Sequence, residues 1–285
     1  MRSLREQINN TFIVAGLSVQ LKSSQQQFLA RNDVAALKQL MLVAAGLLIT
    51  ALLLWITAGY HGAFHLLNQF TPAFPEAFWQ IITFMGDTTL ALTLALIIAR
   101  RNPAILWVIF IAAIYGTLVT HGLKNLFGAG RPPVELVAGE YNLVGKAFRN
   151  GSFPSGHSLT AFVFVSIAYY FFTQPLLRRA LLLLGGLVAL SRVMVAAHWP
   201  VDILVGSAFG ILVAVAAVKT AERLSFGFKP SMHLFIVFLL LVAALMIMSG
   251  HDGGYSEALL FGKLIAFSAL MVFITEYFYP GRKSP

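Results

Sequence analysis

Three short segments of this chain carry residue types suited to one kind of chemistry. In the first, Lys124 stands seven residues before the Arg131-Pro132 pair. An ammonium and a planar guanidinium at that spacing suit the oxygens of a phosphate. Gly128 and Gly130 let the backbone bend so that both cations face one ligand. Alone, the segment equally describes basic residues meeting lipid headgroups. The second segment, Pro154-Ser155-Gly156-His157, precedes an apolar run. A helix starting there presents unpaired N–H groups and a positive dipole end to an anion. Ser155 caps that helix or donates to an oxygen. His157 stands where it can give or take a proton, and a capped helix with an interfacial histidine is the plainer reading. The third segment places Ser191-Arg192, then His198, then Asp202. Pro200 suits the first turn of a helix. A carboxylate four residues after His198 can accept a hydrogen bond from one imidazole nitrogen. The other nitrogen is then unprotonated and nucleophilic.

Taken together, the segments hold three cations, a helix N-terminus and two histidines, one with a carboxylate partner. That set performs phosphoryl transfer with no cofactor and no metal. The cations stabilise the three equatorial oxygens of the transition state, one histidine attacks phosphorus, and the other protonates the leaving oxygen.

The elements that must position these residues are membrane helices. Of 285 residues, 58% are apolar and 11% are charged, against about 25% charged in soluble domains. So few charges cannot cover a soluble enzyme, and a disordered chain would be far more polar. The absence of cysteine excludes disulfides and cysteine-held metals. The fold class expected is all-α, a polytopic helical bundle. Eight candidate spans lie at 39–59, 77–99, 103–122, 157–173, 180–197, 201–220, 231–249 and 256–277. The 20 cations behind the net charge of +9 sort by position: 14 fall in the connections of one side, five, Lys124, Arg131, Lys146, Arg149 and Arg192, on the other, and Lys263 inside the eighth span near its outer end. The bias puts both termini in the cytoplasm and the minority cations outside. The basic excess is therefore a topology signal and implies no nucleic-acid partner. Residues 1–38 read as a cytoplasmic or interfacial segment, either lying on the membrane with Leu4, Ile8 and Phe12 on one face or forming a frayed tail. Residues 39–220 read as a six-helix core, and 221–285 as two further spans with a short tail.

The three segments closely resemble the motifs of the type 2 phosphatidic acid phosphatase superfamily. Lys124 to Arg131-Pro132, Pro154 to His157, and Ser191-Arg192 through His198 to Asp202 match in order and in spacing. The resemblance implies a six-helix phosphatase core, with His198 as a nucleophile forming a phosphohistidine and Asp202 orienting it. It implies His157 as general acid. Lys124, Arg131, Ser155, Gly156 and Arg192 would hold the phosphoryl group, and Ser191 would pack. It says little about residues 231–285.

The other polar residues carry weaker signals. His121 lies one turn before Lys124; His61 and His65 have metal-ligand spacing but few carboxylates nearby; His251 and Asp252 sit in an outer turn. Asp87 reads as a carboxylate about ten residues inside the second span, satisfied by Thr88 and Thr89 or supporting a site cation. Lys146 and Arg149 either widen a positive funnel or are simply solvated. Asn150-Gly151-Ser152 is formally a glycosylation sequon. The function expected is an integral-membrane lipid phosphatase of a bacterial inner membrane. It would hydrolyse a lipid phosphomonoester or diphosphate, such as undecaprenyl diphosphate, phosphatidylglycerol phosphate or phosphatidate, at the extracytoplasmic face. A lipid phosphotransferase with the same intermediate is the alternative, and a lipid transporter the more distant one.

Overall fold

The computed structural model describes residues 4–149 and 151–279, with side chains from residue 16 onward. In chain order the helices are α1 (Leu4–Ala30), α2 (Val34–Ala58), α3 (Phe64–Asn68), α4 (Glu76–Phe84), α5 (Thr88–Ile98) and α6 (Pro103–Phe127). Then come α7 (Pro132–Glu135), α8 (Gly156–Phe171), α9 (Pro175–Met194), α10 (Pro200–Arg223), α11 (Pro230–Met248) and α12 (Leu259–Phe278). Among the described residues there is no strand. Proline opens α6, α9, α10 and α11 at the first helical position, where its missing N–H has no intrahelical role to lose. Asp33 opens α2, its Oδ1 accepting the Ala36 N–H at 2.9 Å.

Each expected span contains a helix, but the helices differ in kind. Five segments are long and apolar enough to cross a membrane: Val34–Ala58, Pro103–Glu135, Pro200–Arg223, Pro230–Met248 and Ser256–Phe278. A sixth appears if α4 and α5, bent by 62°, count as one. The second expected span is therefore broken. Gly86 sits in the break because a Cβ there would lie 2.9 Å from Val188 Cγ1 and 3.0 Å from His157. This corrects the reading of Asp87 as a mid-helix carboxylate. Asp87 caps α5, accepting the N–H groups of Thr89 at 2.8 Å and Leu90 at 3.3 Å. The fifth span ends at Met194, not 197, which frees residues 195–199 for a turn. The first begins at Val34, five residues before 39.

At the centre, α10 packs on α8 and α2, and α11 and α12 pack on α5. Two glycines bring α10 and α8 close. A Cβ on Gly206 would lie 2.5 Å from the Ser155 carbonyl oxygen, and one on Gly210 2.4 Å from that of Leu159. This small-xxx-small spacing is the close-packing device of membrane helices. Gly206→Val is expected to cost roughly 1–3 kcal/mol and to displace Ser155, read as a lower melting temperature in detergent.

The bundle has two distinct ends. At one end α1 packs through Leu17, Leu21 and Phe28, and its Gln20 donates to the Arg100 carbonyl at 2.7 Å. The side chains of Leu4, Ile8 and Phe12 lie outside those described. Arg178 pairs with Asp33 at 2.5 Å, Arg101 with Glu276 at 2.5 Å, and Arg31 donates to the Tyr170 carbonyl at 3.0 Å. Burial tends to raise the Asp33 pKa, but Ala36 N–H and Arg178 outweigh it, leaving it below the ordinary carboxylate value. Lys124, Arg131 and Arg192 gather at the opposite end. Between the ends the lipid-facing sides expose large apolar residues such as Leu42, Ile56, Phe238 and Phe267.

Candidate active site

The nucleophile candidate comes from a turn, not a helix. After α9 ends, the chain reverses through Val195–Trp199, with Ala196 in the left-handed region at φ 56°. A non-glycine residue there costs roughly 1 kcal/mol. The turn is held by the Arg192 carbonyl, which accepts the N–H groups of Ala197 at 2.9 Å and His198 at 3.1 Å. Proline at the start of α10 then sets Asp202 one turn in. His198 Nδ1 lies 3.3 Å from Asp202 Oδ2, with both side chains buried.

Asp202 is fully buried yet well supplied with donors. Oδ2 accepts the Ser152 hydroxyl at 2.5 Å and the Trp199 N–H at 3.0 Å, and Oδ1 accepts the Tyr60 hydroxyl. These bonds hold the carboxylate as an anion facing Nδ1, which leaves Nε2 as the free lone pair. The Tyr60 phenol is pushed far above its ordinary value, chiefly by burial and then by the Asp202 charge, so it stays a donor. Burial, then Arg131, Arg192 and Lys124, push the His198 pKa well below its ordinary 6.5. The ring is therefore neutral at neutral pH.

The cations converge on the same place. Arg131 is buried and donates to the carbonyls of Ala197 at 3.0 Å and Gly151 at 3.2 Å. Lys124, half-buried in the last turn of α6, runs its methylenes past Gly151. Arg192 is 1% exposed. Its Nη1 donates to Thr83 at 2.5 Å and Tyr255 at 2.7 Å, while its buried Nε has no hydrogen-bond partner among the described residues. A buried guanidinium held only by neutral hydroxyls carries a charge that an incoming anion would compensate. The Phe148 ring lies 5.4 Å from the Arg131 guanidinium and 6.0 Å from that of Arg192.

The second segment closes the pocket. Ser155 caps α8, its Oγ accepting the Ser158 N–H at 3.3 Å, and its own N–H donates to the Asp202 carbonyl at 3.2 Å. Gly156 and His157 form the first turn of α8 and line a cleft with His121. The buried Nε2 of His157 has no hydrogen-bond partner among the described residues. Ser191 turns away, its hydroxyl donating to the Val188 carbonyl at 2.6 Å.

Some expectations change in detail. Gly128 does take the left-handed conformation that ends α6, at φ 53°. Gly130 does not; it accommodates the Glu135 carboxylate, which a Cβ would meet at 1.9 Å. The sequon residue Ser152 is a buried donor to Asp202. His61 stacks on Trp199 at 3.9 Å, and His251 Nε2 lies 3.3 Å from Asp87 Oδ1. Lys146 and Arg149 are exposed. Tyr60, Thr83, Phe148, Ser152 and Tyr255 belong to the site but gave no motif signal. The sequon could have flagged Ser152 only for a different reason.

The chain is similar in sequence to known proteins over the stretch that holds the three motifs. The family model described as "PAP2 superfamily" matches residues 104–226. Two curated relatives are named lipid A 1-phosphatase. That of Rhizobium johnstonii is 28% identical over 57% of this chain and 70% of its own. That of Rhizobium etli is 28% identical over 49% of this chain and 68% of its own. The crystal structure of Aquifex aeolicus LpxE aligns with a TM-score of 0.49 at 22% identity, covering 55% of this chain and 92% of that one.

Proposed function

We propose that this chain is a membrane lipid phosphatase of the PAP2 superfamily, whose family model matches residues 104–226, working through a phosphohistidine on His198. The observation that carries this reading is the buried His198–Asp202 pair beside Arg131 and Arg192, with His157 Nε2 unpartnered among the described residues. His198 Nε2 attacks phosphorus, forming an N–P bond as the P–O bond to the lipid breaks. The departing oxygen takes a proton from His157. Water, deprotonated by His157, then attacks the phosphohistidine and releases phosphate. Lys124, Arg131, Arg192 and the N–H groups at the start of α8 stabilise the equatorial oxygens. Those fixed charges supply the stabilisation that a metal ion gives in other phosphatases.

In-line displacement puts the leaving oxygen on the face away from the nucleophile. That favours the His157 side for the lipid. There a cleft of about 190 Å³ between α5, α6 and α8 runs from His157 past Thr120 and Gly116. It shares Leu92, Ile109, Ala113 and Thr117 with a lateral apolar cleft of about 360 Å³ that reaches α11. A larger groove of about 400 Å³ is lined by Trp55, Tyr60 and Phe153, and its Tyr60 is the residue whose hydroxyl meets Asp202. We assign the tail to the smaller path.

The substrate is a lipid phosphomonoester or diphosphate. Undecaprenyl diphosphate, phosphatidylglycerol phosphate and phosphatidate are candidates, and the relatives' names add lipid A 1-phosphate. Clustering of the majority cations at the opposite end of the bundle supports an extracytoplasmic site with cytoplasmic termini in a bacterial inner membrane. The test is phosphate release by detergent-solubilised protein from this panel, with EDTA present and orthovanadate as inhibitor. Activity that requires Mg²⁺ would sink the mechanism. A reporter fusion placing Arg131 in the cytoplasm would sink the topology.

A further inference from the structure

We propose that Tyr255, in the loop between α11 and α12, is a positioning residue for the phosphate site, acting through Arg192. The proposal rests on the phosphatase reading. It concerns a part of the chain outside residues 104–226, the stretch matched by the family model. A guanidinium has donors only, so Tyr255 must accept from Arg192 Nη1, at 2.7 Å. Thr83 accepts from the same nitrogen at 2.5 Å. Two acceptors on one Nη fix the plane of the fork, and they leave the buried Nε free to face the phosphoryl group. One acceptor would let it swing.

The hydroxyl is placed rigidly. The Tyr255 ring is fully buried, 6.0 Å from Phe148 between centroids. Gly145 makes room for it, since a Cβ there would lie 2.7 Å from Tyr255 Cδ1. The loop is tied to the site from three directions. Lys146 N–H donates to the Gly254 carbonyl at 3.1 Å, Glu257 N–H donates to Gln80 Oε1 at 3.1 Å, and His251 meets Asp87 at 3.3 Å. The last two contacts lie on α4 and at the bend before α5, the same bend that sets Thr83 and packs on His157. The added hairpin thereby reaches the catalytic end through one loop and fixes one cation.

The experiment compares wild type with Tyr255→Phe and Thr83→Val, measuring orthovanadate affinity, lipid phosphatase kinetics and thermal unfolding in detergent. Each variant is expected to bind vanadate roughly tenfold more weakly and to lose kcat/KM by a similar factor, the loss typical of a hydrogen bond to a charged group. The two losses should be non-additive in the double variant, because both act on one nitrogen. Wild-type vanadate affinity in both single variants would overturn the proposal, as would a loss confined to thermal stability. If wild type binds vanadate but hydrolyses no lipid phosphate, the phosphatase reading fails while the place of Tyr255 at the anion site is still decided by the variants. Thr83→Val gives the same answer should Tyr255→Phe not fold.

Discussion

His198→Ala is expected to cut phosphate release by roughly 10⁴- to 10⁶-fold, the range for removing a catalytic nucleophile. The loss is chemical, because the substitution leaves the structure around it supported. Asp202 keeps the hydrogen bonds of Ser152, Trp199 N–H and Tyr60, so no buried carboxylate is stranded. The turn keeps both backbone bonds to the Arg192 carbonyl. The variant should therefore fold and still bind vanadate through the cations, while acid-labile phosphoenzyme, trapped in wild type by a rapid quench, disappears. The wild-type pH profile carries a linked expectation. Burial and the three cations hold His198 below 6.5, and protonation there removes the lone pair. The acid limb due to the nucleophile must then lie below pH 6.5, measured on an aryl phosphate whose leaving group needs no acid. Full activity of His198→Ala would overturn the mechanism outright.

His157→Gln is the second large effect, and it depends on the substrate. With a lipid phosphate, whose alkoxide is a poor leaving group, the variant should lose about 10²- to 10⁴-fold, the usual contribution of a general acid. With an aryl phosphate the first step should be nearly unchanged, because a phenolate departs without a proton. Hydrolysis of the intermediate would still be slowed by loss of the base, so phosphoenzyme should accumulate as a burst. His157 is suited to this test because it lines the cleft assigned to the lipid and its buried Nε2 has no partner among the described residues. Glutamine fills similar volume and keeps a polar end. An equal loss on both substrates in the first step would make His157 a binding residue and not an acid.

The candidate catalytic residues stood out in the sequence because phosphoryl transfer demands particular side chains at spacings that helices make regular. Lys124 ends a helix, Ser155 caps one, and Asp202 sits one turn into another. Those are local relations that a linear pattern records. The supporting residues were not legible. Tyr60 reaches Asp202 across 142 residues, Thr83 reaches Arg192 across 109, and Tyr255 reaches it across 63. A hydroxyl bonded across such distances has no pattern of its own. The break between α4 and α5 escaped the hydropathy reading for another reason. Met85, Gly86 and Asp87 interrupt an apolar stretch too briefly to look like a loop, and the close approach of Val188 on α9 and His157 on α8 to Gly86 is a tertiary contact.

Composition and charge order were enough, by themselves, to make this a membrane helical protein and to set its minority cations apart, because lipid excludes charge and backbone polar groups force helices. Motif spacing was enough to pick out His198, Asp202 and His157 as the candidate nucleophile, its carboxylate and the acid. Tertiary structure decided what surrounds them. It placed four donors, His198 among them, on the Asp202 carboxylate, left the Arg192 charge to hydroxyls, and seated a loop of the added hairpin beside it. It also opened one cleft beside His157 and another beside Tyr60. Those outcomes depend on contacts between helices far apart in the chain, where packing, not sequence proximity, chooses the neighbours.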